Sequence, residues 1–544
     1  MVSTVLPAPP HPLPRGRGGP RWLVTVSVVI ALALLAPLVL VGLDARLAGW
    51  TEIHRVLFRA YSQQLLINTV ELAVVVTTLA GLIGTAAAWC TERTTLPWRR
   101  VWTVLLVLPV AIPDFVVSYA WHSLQPSFIG LPAATLVMTL TTYPLVMLPV
   151  AAALRRADPG LEEVARSLGT GRAATFLRVT VPQIRPALVG GCLVVVLTLL
   201  SEYGAFEIVR FQTFTTEIFT EFQFDQPAAG ALSVPLVALG LLVLTGESLI
   251  GRRRGQVSRT GPHAARITRR GQLGYATVPA LGTLTVLVGL AVGVPIGTLI
   301  YWMQRGVHTT LPAAATLSQA TWSTLVYSAL GALVAVLLAL PVAIMAVRRP
   351  SSTRRVIERS TYLTQALPGV VIALSLVFFA IHYAYPLYQT SPLLVAAYAI
   401  MHFPLALVCV TASVVQAPPR LADVGRSLGR HPATVFARVT LPLIAPGLLA
   451  GLCLVFLTAA TELTATLVLA PTGVQTLATQ FWAYQSEAAY SAAAPYAMVI
   501  IAIAAVPGAL LGLWFDHERR FDHERRFDHQ RRFDHELTIP GGAS

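Results

Sequence analysis

An all-α polytopic membrane protein of about twelve transmembrane helices, built as two parallel six-helix repeats, is the fold class this sequence predicts. Three observations predict it. Hydrophobic residues make up 55% of the 544 and charged ones only 12%, with a mean hydropathy of +0.67. That balance belongs to polytopic membrane chains rather than soluble ones. Apolar segments of about 20 residues, enough to cross a bilayer, recur along most of the chain. Between them one polar, arginine-bearing stretch occurs twice. Leu161-Glu-Glu-Val-Ala-Arg-Ser-Leu-Gly169, continuing to Arg178-Val-Thr-Val-Pro182, returns as Leu421-Ala-Asp-Val-Gly-Arg-Ser-Leu-Gly429, continuing to Arg438-Val-Thr-Leu-Pro442. Gly169 and Gly429, like Pro182 and Pro442, stand 260 residues apart.

The formal net charge of +14 is carried by arginine alone, because the chain contains no lysine. Arginines gathered in short clusters between apolar segments orient a chain in a membrane; they do not make a nucleic-acid footprint. Cys90, Cys192, Cys409 and Cys453 all lie in apolar runs, without metal-ligand spacing or a disulfide framework.

Taken in order, residues 1–21 are Pro-, Gly- and Arg-rich and read as a disordered cytoplasmic tail. Spans are expected near 22–43, 67–90, 101–121, 130–154, 187–210 and 229–250, then near 275–300, 323–347, 361–384, 392–415, 447–470 and 493–515. The first is too long for a signal-peptide core and is read as an uncleaved helix. Arginine collects in the N-terminal tail, at Arg99 and Arg100, in both copies of the repeated stretch, at 348–359, and in the 251–273 linker. The loops near 122–129, 211–228, 385–391 and 471–492 contain none. By the positive-inside rule both termini are cytoplasmic. Loop 44–66, with Arg46, Arg55 and Arg59, is the exception.

Six spans per half give both halves one orientation, hence a parallel duplication. Its register extends past the repeated stretch: Tyr143-Pro144 answers Phe403-Pro404, Pro159 answers Pro419, Pro186 answers Pro446, and Glu202 answers Glu462. The expected organisation is a first repeat over 22–250 with a surface loop at 155–186, the basic linker 251–273, and a second repeat over 274–515 with its loop at 416–446. Residues 516–544 are a low-complexity cytoplasmic tail in which FDHERR recurs with a period of six, matching neither helix nor strand.

A spanning helix tolerates few arginines, so each repeated stretch should be a loop outside the membrane, carrying a short helix with one wet face. Its spacing resembles the signature loop of binding-protein-dependent ABC importer permeases: Glu-Ala-Ala, three residues, Gly, nine residues, Ile-x-Leu-Pro. The first copy supplies Glu163-Val164-Ala165, Gly169, Val179, Val181 and Pro182; the second supplies Asp423-Val424-Gly425, Gly429, Val439, Leu441 and Pro442. Asp replaces Glu and Gly replaces Ala in the second copy. The resemblance implies the type I (MetI-like) permease fold. It also implies that each loop is a coupling helix docking on a cytoplasmic ATPase, with Gly169 and Gly429 allowing the turn between two short helices. Two ATPase copies and an extracytoplasmic binding protein would be the partners, in a bacterial cytoplasmic (inner) membrane. Ser201-Glu-Tyr-Gly-Ala205, Phe211-Gln-Thr-Phe-Thr-Thr216, the segment Thr461 to Gly473, and Thr476-Leu-Ala-Thr479 further resemble the ferric-iron type of fused permease. Fused permeases for thiamine and aminophosphonates share the architecture and stay open as alternatives.

Glu202 and Glu462 attract notice without any family. A carboxylate inside a span is costly and normally faces a bundle interior or a watery cavity. At equivalent positions of two repeats, the pair is expected near the pseudo-twofold axis, lining a translocation pathway. The alternative is two packing carboxylates satisfied by hydrogen bonds.

No Gly-x-x-x-x-Gly-Lys-[Ser/Thr] loop exists, and without lysine none can. Neither a His-Glu-x-x-His motif nor a defensible catalytic triad is present, so no catalytic, cofactor-binding or metal residue is assigned. ATP and Mg are expected on the partner ATPase. An ion-gradient-driven secondary transporter also builds twelve spans from two parallel halves, but has no reason to repeat a polar docking loop before the fifth span of each half.

Overall fold

The computed structural model describes residues 21–252, 271–306, 311–348, 363–364 and 367–505. The expected tail 1–21 (but for Arg21), most of the 251–273 linker, most of the 348–359 arginine cluster and the FDHERR tail lie outside these residues.

The first half comprises α1 (Arg21–Ala48), α2 (Trp50–Leu57), α3 (Ala60–Arg93), α4 (Arg99–Val107), α5 (Asp114–Leu124), α6 (Gly130–Arg156), α7 (Pro159–Ser167), α8 (Arg172–Ser201), α9 (Gly204–Ile208), α10 (Phe214–Phe224) and α11 (Gln226–Arg252). The second comprises α12 (Gly274–Arg305), α13 (Ala314–Arg348), α14 (Gly369–Tyr383), α15 (Ser391–Gln416), α16 (Pro419–Ser427), α17 (Pro432–Ala460), α18 (Thr464–Leu469), α19 (Leu477–Ser486) and α20 (Tyr490–Ala505). All twelve expected regions are helical, but not all are single spans. Among the described residues nine helices are long and apolar enough to cross a membrane. The tenth region is the pair α4–α5, bent by 89°. Pro109 and Pro113 lie in that bend; neither offers an N–H, and each frees a carbonyl. Tyr143 donates its hydroxyl to Leu106 O at 2.8 Å there. The remaining two are α14, which is shorter, and α20, which is described only as far as Ala505.

Two further boundaries differ from expectation. The spans placed at 187–210 and 447–470 begin earlier, at Arg172 and Pro432, and stop at Ser201 and Ala460. Each enters through a π-turn, Phe176–Thr180 and Phe436–Thr440, just before Pro182 and Pro442. A proline in the first turn cannot donate, and the helix takes up the slack with one wider turn.

Packing repeats between halves. Helix α3 lies along α6, and α6 along α8, as α13 lies along α15, and α15 along α17. Lipid supplies no hydrophobic drive between helices, so close backbone approach carries the contact. A methyl on Gly191 would fall 2.8 Å from Val146 Cα.

The sequence divides into two consecutive repeats, but the packing crosses between them. Helix α1 packs on α13 and α14 of the second half, where Thr364 and Ser375 donate to Leu34 O and Pro37 O at 3.3 and 3.2 Å. Helix α12 packs on α5 of the first half, and Trp302 Nε1 donates to Ser123 Oγ at 3.0 Å. Helix α1 also packs on α11 of its own half, so the first helix of each repeat ties the halves together.

The arginine exception in loop 44–66 also finds its reason. Arg59 pairs with Glu217 at 2.8 Å and Glu221 at 3.2 Å on α10. Helix α10 and its counterpart α19 each start with a Thr–Thr capping box, Thr213/Thr216 and Thr476/Thr479. Their first amides donate to matching threonines, Phe214 N to Thr69 and Leu477 N to Thr324.

Candidate functional site

Two features stand at equivalent places in both halves: a surface helix–turn–helix and a break in a spanning helix.

The surface loops are α7 and α16, nine residues each, both started by a proline at the first helical position. Each ends in a Schellman turn. Gly169 N donates to Arg166 O and Thr170 N to Ala165 O, at 3.0 and 3.1 Å; Gly429 N donates to Arg426 O and Arg430 N to Gly425 O, at 3.0 and 3.2 Å. The turn requires left-handed backbone, with φ +84° at Gly169 and +74° at Gly429, which a side chain would strain. The sequence departure at Gly425 meets close packing: a Cβ there would lie 3.0 Å from Val435 Cγ2 and 3.2 Å from its Cγ1. The equivalent positions of the first loop hold Ala165 and Thr175.

Both helices expose an apolar stripe at helical spacing: Leu161, Val164 and Leu168 on α7, Leu421, Val424 and Leu428 on α16. Leu168 is 78% and Leu428 75% exposed, unusual for leucine beside a polar helix. Glu163 and Asp423 are exposed beside the stripes, and Asp423 pairs with Arg426 one turn on. Pro182 and Pro442 directly follow the π-turns of the spans that carry these loops back. A repeated exposed apolar face rimmed by charge is the form of a protein-docking surface.

The breaks fall at Glu202 and Glu462. Helix α8 ends at Ser201, Glu202 turns to extended backbone, and α9 begins at Gly204; α17 ends at Ala460 and α18 begins at Thr464. Each glutamate caps the short helix that follows. Ala205 N donates to Glu202 Oε1 at 2.7 Å and Ala465 N to Glu462 Oε1 at 3.1 Å. Leu200 O, beside the first break, is taken by Thr215 Oγ1 at 3.1 Å.

The structure brings both glutamates to one cavity of about 410 Å³ between the halves. Its wall is built from equivalent pairs, Leu145 with Leu405, Leu197 with Leu457, Thr198 with Thr458, and Ser201 with Thr461. The loop residues line no part of it. Two side chains absent from the sequence-based assignment also line it: Asp114, the first residue of α5, and His402 on α15. His402 Nε2 is buried and has no hydrogen-bond partner among the described residues. Both were open to the reasoning that singled out the glutamates, as ionisable groups inside apolar spans. They lack equivalents in the other half, where Gly369 opens α14 and Thr142 stands on α6, so the repeat did not mark them. Among the described residues no arginine lines the cavity.

Residues 80–254 and 335–517 match the family described as binding-protein-dependent transport system inner membrane component. Over 501 residues, 91% of this chain and 98% of the relative, the chain is 38% identical to the Fe(3+)-transport system permease protein FbpB 2 of Haemophilus influenzae. It is 22% identical to the ferric transport system permease protein FbpB of Actinobacillus pleuropneumoniae, over 88% of this chain and 76% of that one. The sulfate transport system permease protein CysT of Escherichia coli is 28% identical over 258 residues, 42% of this chain and 92% of the relative.

Proposed function

The chain belongs to the family of binding-protein-dependent transport system inner membrane components, and from that premise we propose that it is the fused transmembrane permease subunit of an ATP-driven ferric-iron importer. As a multi-pass inner-membrane transport subunit of this family it works with a substrate-binding protein and an ATPase. Two ATPase copies, one on α7 and one on α16, follow from two loops of the same shape, and ATP with Mg would be held on those partners. By the positive-inside rule, the arginine distribution supports a cytoplasmic side for both loops and both termini.

The observation that carries the reading is the matched pair of exposed stripes, Leu161/Val164/Leu168 and Leu421/Val424/Leu428. Closure of two docked ATPases would draw the loops together and swing α8 and α17 apart at the other end. The spans are already interrupted at Glu202 and Glu462, where such a motion can be absorbed with little loss of hydrogen bonding.

Substrate charge follows from the cavity. Three carboxylates, an imidazole and hydroxyls line it, with no arginine among the described residues. Carboxylates in a low-dielectric passage attract a cation and repel an anion, which favours the cargo named for the ferric relatives over that of the sulfate relative. Glu202 and Glu462 would line the path, their carboxylates held in place by the backbone amides they cap.

Uptake in proteoliposomes holding this chain, its ATPase and its binding protein tests the reading. ATP-dependent entry of radiolabelled ferric ion is expected. Thiamine entry in its place would retain the architecture and overturn the substrate. Uptake that follows an ion gradient with no ATPase would overturn the importer.

A further inference from the structure

We propose that the ion pair between Arg93 and Glu162 is a strut that passes movement of the first surface loop to the membrane helices. The inference rests on the importer reading above.

Arg93 is the last residue of the 34-residue α3, and Glu162 lies in the first turn of α7. A cation at a helix C-terminus and a carboxylate at an N-terminus are each favoured by the helix dipole. Their charged atoms stand 3.5 Å apart, with side chains only 4% and 10% exposed. Thr180 Oγ1, in the π-turn of α8, donates to the same Glu162 oxygen at 2.9 Å. One carboxylate thus joins the end of α3, the surface helix α7 and the entry of α8. Glu163, the neighbour that matches the signature, points outward to solvent.

The second half shows that this pair is not needed to build the loop. The position equivalent to Glu162 is Ala422, also buried. Yet Pro419–Ser427, the left-handed Gly429 and the π-turn Phe436–Thr440 reproduce the first loop element for element. Withdrawing two charges from water is costly, and an apolar pair often stabilises a fold as well or better. The guanidinium of Arg93 forms no hydrogen bond among the described residues, so the carboxylate is its main compensation. What a pair adds over an alanine methyl is a directional link that resists sliding. Arg93 also carries the link onward. Its carbonyl accepts from Gly271 N at 2.9 Å, and Thr95 N donates to Gly271 O at 3.1 Å, so the end of α3 is stitched to the start of the second half.

The test uses the reconstituted complex with ferric ion supplied on its binding protein, reading ions taken up per ATP hydrolysed alongside the ATPase copurified. Glu162→Gln breaks the pair and leaves one charge. Arg93→Met/Glu162→Met removes the pair and leaves only the exposed Arg166, which in the unaltered chain also reaches the Glu162 carboxylate at 4.0 Å, and decides the matter if the single variant fails to accumulate. In either, copurification is expected unchanged while uptake per ATP falls roughly 2- to 30-fold, the span of coupling-network substitutions. A wild-type ratio in either accumulated variant overturns the strut. Absence of ATPase binding or of ATP-dependent uptake by the unaltered chain would instead overturn the importer reading.

Discussion

Gly204 and Leu463 meet between the halves so closely that a methyl group on Gly204 would lie 2.6 Å from Leu463 Cδ2, with Phe115 Cβ 3.1 Å away on another side. The two residues directly follow the breaks at Glu202 and Glu462, so the interrupted spans touch at the point where they are interrupted. Leu463 and Phe115 are both buried, and neither can withdraw freely. Gly204→Ala is expected to cost about 1–3 kcal/mol of stability through overpacking, seen as a lowered unfolding temperature in detergent. Uptake should fall while ATPase copurification holds, since the surface loops are untouched.

Charge and shape at the breaks can be separated. Glu202→Gln and Glu462→Gln keep an oxygen that accepts from Ala205 or Ala465 but lose the charge. Both should accumulate normally, and each should lower ferric-ion uptake roughly tenfold, about 1.4 kcal/mol. Alanine at either site removes the cap as well and should cost about 1 kcal/mol in stability. Unchanged uptake in the double glutamine variant would leave the glutamates as helix caps only.

The two left-handed glycines predict a position-specific effect. Gly169→Ala or Gly429→Ala forces a side chain into φ near +80°, at about 1 kcal/mol, and should weaken ATPase copurification. Gly171→Ala is the control: its φ is −65° and nothing lies within 4 Å of its would-be Cβ, so binding should not change.

Docking through the apolar stripes predicts that Leu168→Asp and Leu428→Asp spare the fold, because neither leucine is packed, yet release the ATPase. Losing a leucine buried on docking is worth about 2 kcal/mol, roughly thirtyfold in affinity per loop. Pull-down against purified ATPase measures it, and retained binding in the double variant would exclude the stripes as the docking face.

The contact between Gly425 and Val435 can be checked by a double-mutant cycle. Gly425→Ala alone should destabilise the second loop by about 1 kcal/mol against the two Val435 γ-methyls. Adding Val435→Ala removes both methyls and should make the Gly425→Ala cost largely disappear, a coupling of about 0.5–1 kcal/mol.

The neighbours Glu162 and Glu163 show where reading from sequence stops. Spacing to Gly169 selects Glu163, the residue left exposed for a partner. About 100° around the same helix, Glu162 is buried against Arg93 from a helix that ended nearly seventy residues earlier, and no local pattern announces that pairing. Asp114 and His402 differ in kind: their chemistry was visible, but without equivalents at the repeat offset they carried no second signal.

Hydropathy, arginine placement and the 260-residue offset determined that this chain is helical, membrane-spanning and duplicated, with a polar loop before the fifth span of each half. Those properties follow from the solvent each residue can tolerate and from local hydrogen bonding, which neighbouring residues dictate. Tertiary structure alone decided that the fifth spans stop at Glu202 and Glu462, that α1 and α12 pack across the halves, and that three carboxylates share one cavity. Each of these depends on which surfaces meet when the halves pack. A glutamate in an apolar run does not break a helix by itself; here Ala205 and Ala465 offer amides to the two carboxylates, and Gly204 packs against Leu463 of the other half.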